Sequence, residues 1–422
     1  MSTSSPAPQL PWQGVARAAG LLTPNGTTRP TIFAEMTGLA TRTGAVNLGQ
    51  GFPDEQGPRA VTDAAARAIT DGINQYPPGP GIPALREEIA AHQLRHYGLR
   101  LDPDHQVLVT TGATEAIAAA ILALAGPGDE VLTLEPYYDS YAAVIALAGA
   151  RHTRTALVPG THGFSLDLDG LRAAVTDRTR VILLNSPHNP TGAVLTPAEL
   201  AEVARLAQAH DAVVVTDEVY EHLTYDGVAH VPIATLPGAA ERTLTISSAG
   251  KSFSVTGWKI GWVSGPADLV EAVRTVKQFL TYTSGAPFQP AVAVALGLET
   301  SDSPEADWLV RLRESLARRR DQLTSGLREA GFAPVAAAGT YFVMADARPL
   351  LEGPLAGTGV RTGAHLCRRL PELAGVVAVP ATAFTTAGSA VTDNLATWVR
   401  FTFVKSEATI TEAMRRLLAL AG

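Results

Sequence analysis

The sequence is poor in several features that would decide where and with what a protein works. One cysteine, Cys367, occurs in 422 residues, so the chain can close no internal disulfide and build no cysteine-rich zinc site. This fits a reducing compartment. Charged residues make up only 17% and sum to −7. With no block of one sign, neither nucleic acid nor an anionic membrane surface is expected as the main partner. The longest apolar stretch, Ala116 to Ala125, falls short of the roughly 20 residues that span a bilayer. No basic residue precedes Arg17 and no apolar segment follows Met1, so a secretory leader is not expected. The ten histidines include no His-Glu-x-x-His spacing, and Glu221-His222 are merely adjacent; no metal site is expected. The expectation is a soluble, cytoplasmic protein.

What the chain does have is apolar material. Hydrophobic residues reach 46%, which excludes a disordered chain and a small stapled scaffold. The length suits a large α/β domain with a smaller companion. From about Asp104 to Phe279, short apolar runs alternate with helical patterns. The runs are Val107–Thr110, Val131–Leu134, Val181–Leu184, Val213–Thr216, Leu244–Ser247 and Ile260–Val263. Most are continuously apolar, as strands covered on both faces by helices must be. Thr196-Pro-Ala-Glu199 reads as a capping box opening one of those helices. The alternation predicts a mostly parallel, helix-covered sheet. After about Ser301 the texture changes: a helix over Trp308 to Gly331, strands at Val376–Val379 and Trp398–Val404, and a closing helix near Ser406. These form a smaller α+β domain. The expected division is 1–46, an N-terminal arm and part of the small domain; 47–305, the large domain; and 306–422, the small domain. Residues 1–30, rich in Ser, Pro, Gly and Thr, read as an extended arm.

Ligands in parallel sheets bind at the carboxyl ends of strands, and the sequence is most unusual there. Thr111-Gly112-Ala113-Thr114 follows the first run; it is either a phosphate cradle at a helix start or a plain turn. Asn185-Ser-Pro-His-Asn-Pro-Thr-Gly192 is a loop fixed by two prolines, offering Asn185, His188 and Asn189. Asp217 ends a buried run, where ionisation is costly without a partner, unless it only caps a helix. Lys251 ends another, among small residues; burial makes lysine an amine nucleophile. Two apparent motifs fail. Ala249-Gly-Lys-Ser252 lacks the first glycine of a P-loop, Thr245 standing there, and Gly79-Pro-Gly81-Ile-Pro-Ala84 follows no strand.

A phosphate cradle, a lysine, an aspartate, a tyrosine and an asparagine at strand ends match what pyridoxal phosphate needs. At these residues the chain resembles the class I aminotransferases of fold-type I, and most the kynurenine, methionine and N-succinyldiaminopimelate subgroup. The resemblance runs from about Thr31 to Lys405. It includes Asn47-Leu-Gly-Gln-Gly-Phe-Pro-Asp54, Asn74-Gln-Tyr-Pro-Pro-Gly-Pro-Gly81, Glu135-Pro-Tyr-Tyr-Asp139, Ser186-Pro-His-Asn-Pro-Thr-Gly192, Thr216-Asp-Glu-Val-Tyr220, Gly257-Trp-Lys-Ile-Gly-Trp262 and Trp398-Val-Arg-Phe401.

The resemblance implies roles. Lys251 is the Schiff-base lysine and moves the proton; Asp217 keeps the pyridine nitrogen protonated; Tyr220 and Asn189 bond the cofactor's O3′. Gly112, Ala113, Thr114, Ser248 and Lys259 hold the phosphate, and Tyr138 stacks on the ring. Tyr76 reaches the phosphate of the neighbouring subunit, which implies a homodimer with active sites at the interface. Arg400 grips the substrate α-carboxylate, assisted by Asn189 and the backbone at Gly51, and Phe33 lines the side-chain pocket with Tyr138 and Tyr282. Where many relatives have Arg, this chain has Lys259, as kynurenine-type enzymes do. Thr281 to Pro290 contains no Arg, which disfavours a small dicarboxylic donor held there. The expected reaction moves an amino group between an amino acid and a 2-oxo acid by a ping-pong route. N-succinyl-LL-diaminopimelate with 2-oxoglutarate leads; methionine, glutamine or kynurenine donors, or a cysteine-conjugate β-lyase, are the rivals. A DNA-binding sensor is disfavoured, since the first 30 residues are too few and too uncharged.

Overall fold

The apolar runs build an eight-stranded sheet in the computed structural model, which describes residues 10–420. In chain order its strands are β1 (Val107–Thr110), β2 (Glu130–Glu135), β3 (Arg151–Gly160), β4 (Gly163–Leu166), β5 (Thr179–Asn185), β6 (Val213–Asp217), β7 (Thr243–Ser248) and β8 (Gly261–Ser264). Across the sheet they run β1-β8-β7-β6-β5-β2-β3-β4. The central five, β7, β6, β5, β2 and β3, are parallel. All residues of β1 and β2 are buried, which is why their sequences do not alternate.

The run Ile260–Val263 forms a strand, yet β8 lies antiparallel to both β7 and β1. The chain leaving β7 turns at the sheet's edge through the helical turns Ala249–Ser252 and Thr256–Trp258, without crossing a face as a parallel connection must. The carboxyl ends of β1, β2, β5, β6 and β7 therefore share one edge with the start of β8. Sequence reading passes over β3 and β4, whose outer position lets Arg151, His152 and Arg154 interrupt any apolar pattern.

A four-stranded antiparallel sheet follows, ordered β9 (Ala333–Pro334), β10 (Phe342–Asp346), β12 (Trp398–Thr402), β11 (Val379–Pro380). The expected strand at Val376–Val379 divides: Val376–Val377 pairs instead with Val46–Asn47 in parallel. The long helix is present at Trp308–Glu329, and the closing helix at Glu407–Leu417 is capped by Ser406. Their core takes in Leu316, Leu323, Phe332, Val343, Phe401 and Ile410, together with Met36 from the helix Ile32–Thr43.

The extended-arm reading of 1–30 needs correction. Residues 1–9 lie outside the described residues, but Pro11–Ala18 is a helix packed on the helix Ser140–Ala148. Pro11 suits the first helical position, and tertiary packing of a short amphipathic segment outweighs its poor composition. The predicted capping box is present: Thr196 Oγ1 accepts from Glu199 N at 3.3 Å while Glu199 Oε2 accepts from Thr196 N at 2.7 Å. Among the described residues no helix is long and apolar enough to cross a membrane.

Candidate active site

The shared edge encloses a cavity of about 190 Å³. Of the residues singled out from the sequence, Gly112, Ala113, Thr114, Tyr138, Asn189, Asp217, Tyr220, Ser248, Lys251 and Lys259 all line it. One wall is the start of the helix Gly112–Leu124, whose first backbone N–H groups have no partner within the helix. Gly112 has φ +71°, and a Cβ there would meet Lys259 Nζ at 3.3 Å. Gly261 admits no side chain either, since its Cβ would stand 2.8 Å from Ala113 N. The reversal of β8 thus sets Lys259 across the helix start, where its Nζ donates to Thr114 Oγ1 at 3.5 Å. Burial and the charge of Lys251 lower the Lys259 pKa. The Lys259 side chain beside the first amides of a helix makes a cradle suited to an anion.

Opposite stands Asp217, paired in register with Asn185 on β5. Asn185 Nδ2 donates to the Asp217 carbonyl at 2.8 Å, and Asn185 Oδ1 accepts from Asn189 N at 2.8 Å. The first bond spaces β5 from β6 and the second folds the loop so that Asn189 faces the cavity. The carboxylate of Asp217 accepts from Tyr141 Oη at 2.7 Å and from Val219 N at 3.3 Å. Burial nevertheless raises its pKa to about 6, against the lowering effects of those two bonds and of Lys251. Among the described residues no cation is in contact with the buried Asp217 carboxylate, and a positively charged group placed beside it would restore its ordinary acidity.

Lys251 enters from the turn after β7, and its Nζ lies 5.8 Å from the ring centres of both Tyr220 and Tyr341. Its amine makes no hydrogen bond among the described residues. The Tyr220 phenol is held well above its usual pKa by burial and by Tyr341. Tyr138 is pushed up to about 12 by burial and by nearby Asp139.

Arg400, on β12, reaches across to the same region. Its Nη1 donates to Asn189 Oδ1 at 2.8 Å and its Nη2 to the Gly49 carbonyl at 2.8 Å. The guanidinium lies 3.9 Å from the ring centre of Phe342, 4.5 Å from Phe384 and 5.5 Å from Phe33. Arg400 is only 2% exposed. Burial lowers its pKa to about 10, which leaves it charged at neutral pH. Its Nε is buried without a partner, and among the described residues no carboxylate lies within ion-pair distance. A buried, unpaired guanidinium costs several kcal/mol until an anion meets it.

Some selected residues stand elsewhere. Tyr76 does not line the cavity of its own chain; it is 84% exposed and packs edge-on against Tyr282, ring centres 5.7 Å apart. The Gly51 carbonyl accepts from Tyr341 Oη at 2.5 Å, so the backbone carbonyl that meets Arg400 is that of Gly49. His188 turns inward, its Nδ1 2.8 Å from Thr191 Oγ1. Sequence reading missed Tyr141, Tyr341, Phe342 and Phe384. None sits in a distinctive pattern: Tyr141 opens an apolar helix, and Tyr341 follows Thr340, whose φ of +63° leaves no composition signal.

Comparison with known proteins fits this geometry. Residues 43–417 match the family described as aminotransferase class I and II. The chain belongs to that family. This aminotransferase is 55% identical to the probable N-succinyldiaminopimelate aminotransferase of Mycobacterium tuberculosis, over 93% of this chain and 96% of that one. The structure of the Mycobacterium tuberculosis N-succinyldiaminopimelate aminotransferase superposes on this aminotransferase with a TM-score of 0.87 at 54% identity, covering 93% of this chain and 97% of that one. The methionine aminotransferase of Escherichia coli is 37% identical over 92% of this chain and 96% of its own. The fold is thus the aminotransferase α/β architecture, a large mostly parallel sheet with a small antiparallel one.

Proposed function

We propose that the cavity holds pyridoxal 5′-phosphate and that the enzyme transfers the amino group of N-succinyl-LL-diaminopimelate to 2-oxoglutarate. The observation that carries this reading is the buried guanidinium of Arg400, its Nε unpaired, one hydrogen bond from the cavity through Asn189. The residues present fit the cofactor: cradle, carboxylate, phenol and free amine converge on one space. Bound there, the cofactor supplies an electron sink for the charge left when a substrate carbon loses its proton.

The chain's own residues do the rest. Lys251 would be the amine that joins the cofactor; once the substrate amine displaced it, its free Nζ would take the proton from the substrate Cα and pass it to C4′ of the cofactor, and the reverse transfer would serve the oxo acid. Asp217, otherwise a costly buried carboxylate, pairs with the protonated pyridine nitrogen. Tyr220 and Asn189 donate to O3′, and Tyr138 covers one ring face. The amides at Gly112, Ala113 and Thr114, with Ser248 and Lys259, bind the phosphate. Arg400 offers a forked contact to the substrate α-carboxylate, and the rings of Phe33, Phe342 and Phe384 exclude water from it. Gly51 belongs to this wall through its bond to Tyr341.

Exposed Tyr76 is assigned to the phosphate of a neighbouring subunit, which makes a cytoplasmic homodimer the working form. Within each chain, 47–305 forms the large domain and 306–422 the small one, while 1–46 supplies an N-terminal arm and part of the small domain. The part of the first segment assigned to the small domain is supported by Met36 and Ala40, which share a core with Leu316, Val343, Phe401 and Ile410.

The substrate reading rests on identity with the Mycobacterium tuberculosis relative, and a donor panel tests it. Under single-turnover conditions N-succinyl-LL-diaminopimelate should convert the yellow enzyme fastest. Faster conversion by methionine, glutamine or kynurenine would move the assignment to the other relatives' chemistry, and thiol release without amino transfer would make the enzyme a β-lyase. Arg400→Lys should raise KM for both the amino donor and the oxo acid by roughly 10- to 100-fold, the worth of one charge-assisted fork. An unchanged KM in steady-state assays would relocate the carboxylate site.

A further inference from the structure

Behind the turn that bears Tyr220 lies a cluster that the mechanism does not use. His92 and His96 are four residues apart on the helix Pro83–Tyr97, so they project from the same face. His222, from the turn after β6, meets them. The ring centres stand 4.5 Å apart for His92 and His96, 4.9 Å for His92 and His222, and 4.8 Å for His96 and His222. None of the pairs is stacked; the interplanar angles are 49°, 87° and 66°. One nitrogen from each ring lies within 4.8 Å of the others. A carboxylate adjoins one of the three rings: Glu299 Oε1 lies 2.8 Å from His96 Nε2 and also pairs with Arg95.

Hydrogen bonding alone does not satisfy this cluster. His92 Nε2 and His222 Nε2 stand 2.7 Å apart, so one must donate and the other accept. His92 Nδ1, on the other side of its ring, is buried with no partner. His96 Nε2 is likewise buried without a well-aligned hydrogen bond.

We propose that His92, His96 and His222, with Glu299 as fourth ligand, bind one divalent transition-metal ion of the zinc class. Three imidazoles and a carboxylate are a donor set such ions take, with bonds of about 2.0–2.2 Å. At that bond length tetrahedral ligand atoms stand roughly 3.3 Å apart. The His92–His222 pair therefore opens by several tenths of an ångström, and half-buried His96 swings in. The ion ties the helix Pro83–Tyr97 and Glu299 to the turn Glu218–His222. That turn carries Tyr220 on its other side, so the site is a structural clamp on the cofactor wall. Sequence reading sought His-Glu-x-x-His and could not see it, since His222 lies 130 positions from His92 and Glu299 further still.

The test uses tag-free holoenzyme, stripped by chelator and titrated with ZnCl2. Elemental analysis should find one zinc per chain, and zinc should raise the unfolding midpoint. His96→Gln and Glu299→Gln should each weaken zinc binding at least ten-fold and shrink the zinc-dependent shift in midpoint. Absence of stoichiometric zinc, or equal binding by the parent and both variants, overturns the site. Should a variant fail to fold, X-ray absorption at the zinc edge of the parent protein decides: three imidazoles in the first coordination shell support the site, and fewer overturn it.

Discussion

Replacing Lys251 by alanine is expected to end turnover and abolish the covalent bond to the cofactor, leaving a protein that still folds. The loss should exceed the about 10²–10⁴-fold contributed by proton transfer from a positioned side chain, because the same amine also makes the covalent attachment. Folding should survive, since Lys251 Nζ makes no hydrogen bond among the described residues and is only 5.8 Å from two ring centres that pack on each other regardless. Removing Lys251 also relieves the repulsion that lowers the Lys259 pKa, so phosphate binding should persist. The variant should therefore bind pyridoxal phosphate non-covalently, with the cofactor released by denaturation without hydrolysis. Multiple turnover by Lys251→Ala, measured with a coupled oxo-acid assay, would falsify the catalytic assignment.

The second large effect concerns Asp217 and changes sign with cofactor occupancy. In the cofactor-free chain its carboxyl has a pKa of about 6, against an ordinary 3.8, chiefly through burial. Between those values the folded chain holds a proton that the unfolded chain has released. Stability therefore falls as pH rises through this window and stays lower above it. At about 1.4 kcal/mol per pH unit the total is roughly 3 kcal/mol. Asp217→Asn keeps an acceptor for Tyr141 Oη but cannot ionise. Cofactor-free Asp217→Asn should be more stable than the parent at about pH 8, and that advantage should shrink towards about pH 4. With cofactor the order reverses. Breaking a buried ion pair costs about 3–5 kcal/mol, equivalent to roughly 10²–10⁴-fold in cofactor affinity, and the electron sink fails with it. Denaturant unfolding of both forms, with a cofactor titration, checks the two halves separately. Equal cofactor affinity in the variant and parent would remove Asp217 from its role.

How much of this was legible in the sequence depended on where a residue sat. The strands β1, β2, β5, β6 and β7 announced themselves because burial on both faces forces continuous apolar runs. Their ends were legible for the complementary reason, since Gly112, Asp217 and Lys251 are improbable among such neighbours. The outer β3 was not, because solvent on one side admits Arg151 and Arg154. The helix Pro11–Ala18 was hidden because its stability comes from packing on residues 140–148. The direction of β8 follows from a turn, which local pattern does not record. Tyr141, Tyr341 and the histidine cluster depend on contacts between distant segments, and no local rule reports those. Arg400 was visible only through family resemblance, since an arginine within an antiparallel strand ordinarily faces water.

The short return between β7 and β8 has a consequence for how such an enzyme can diversify. Lys251 and Lys259 stand on one turn clamped at both ends by ladder bonds to the same sheet. Their separation is a gauge length fixed by that turn, spanning in the proposed site from the amine to the phosphate cradle. Inserting or deleting a residue in that turn would change the gauge and lose the cofactor whatever the substrate. The stretch from Thr281 to Pro290 bears no such measure and contributes nothing to the lining of the cofactor cavity. New donors can be accommodated there while the gauge stays untouched.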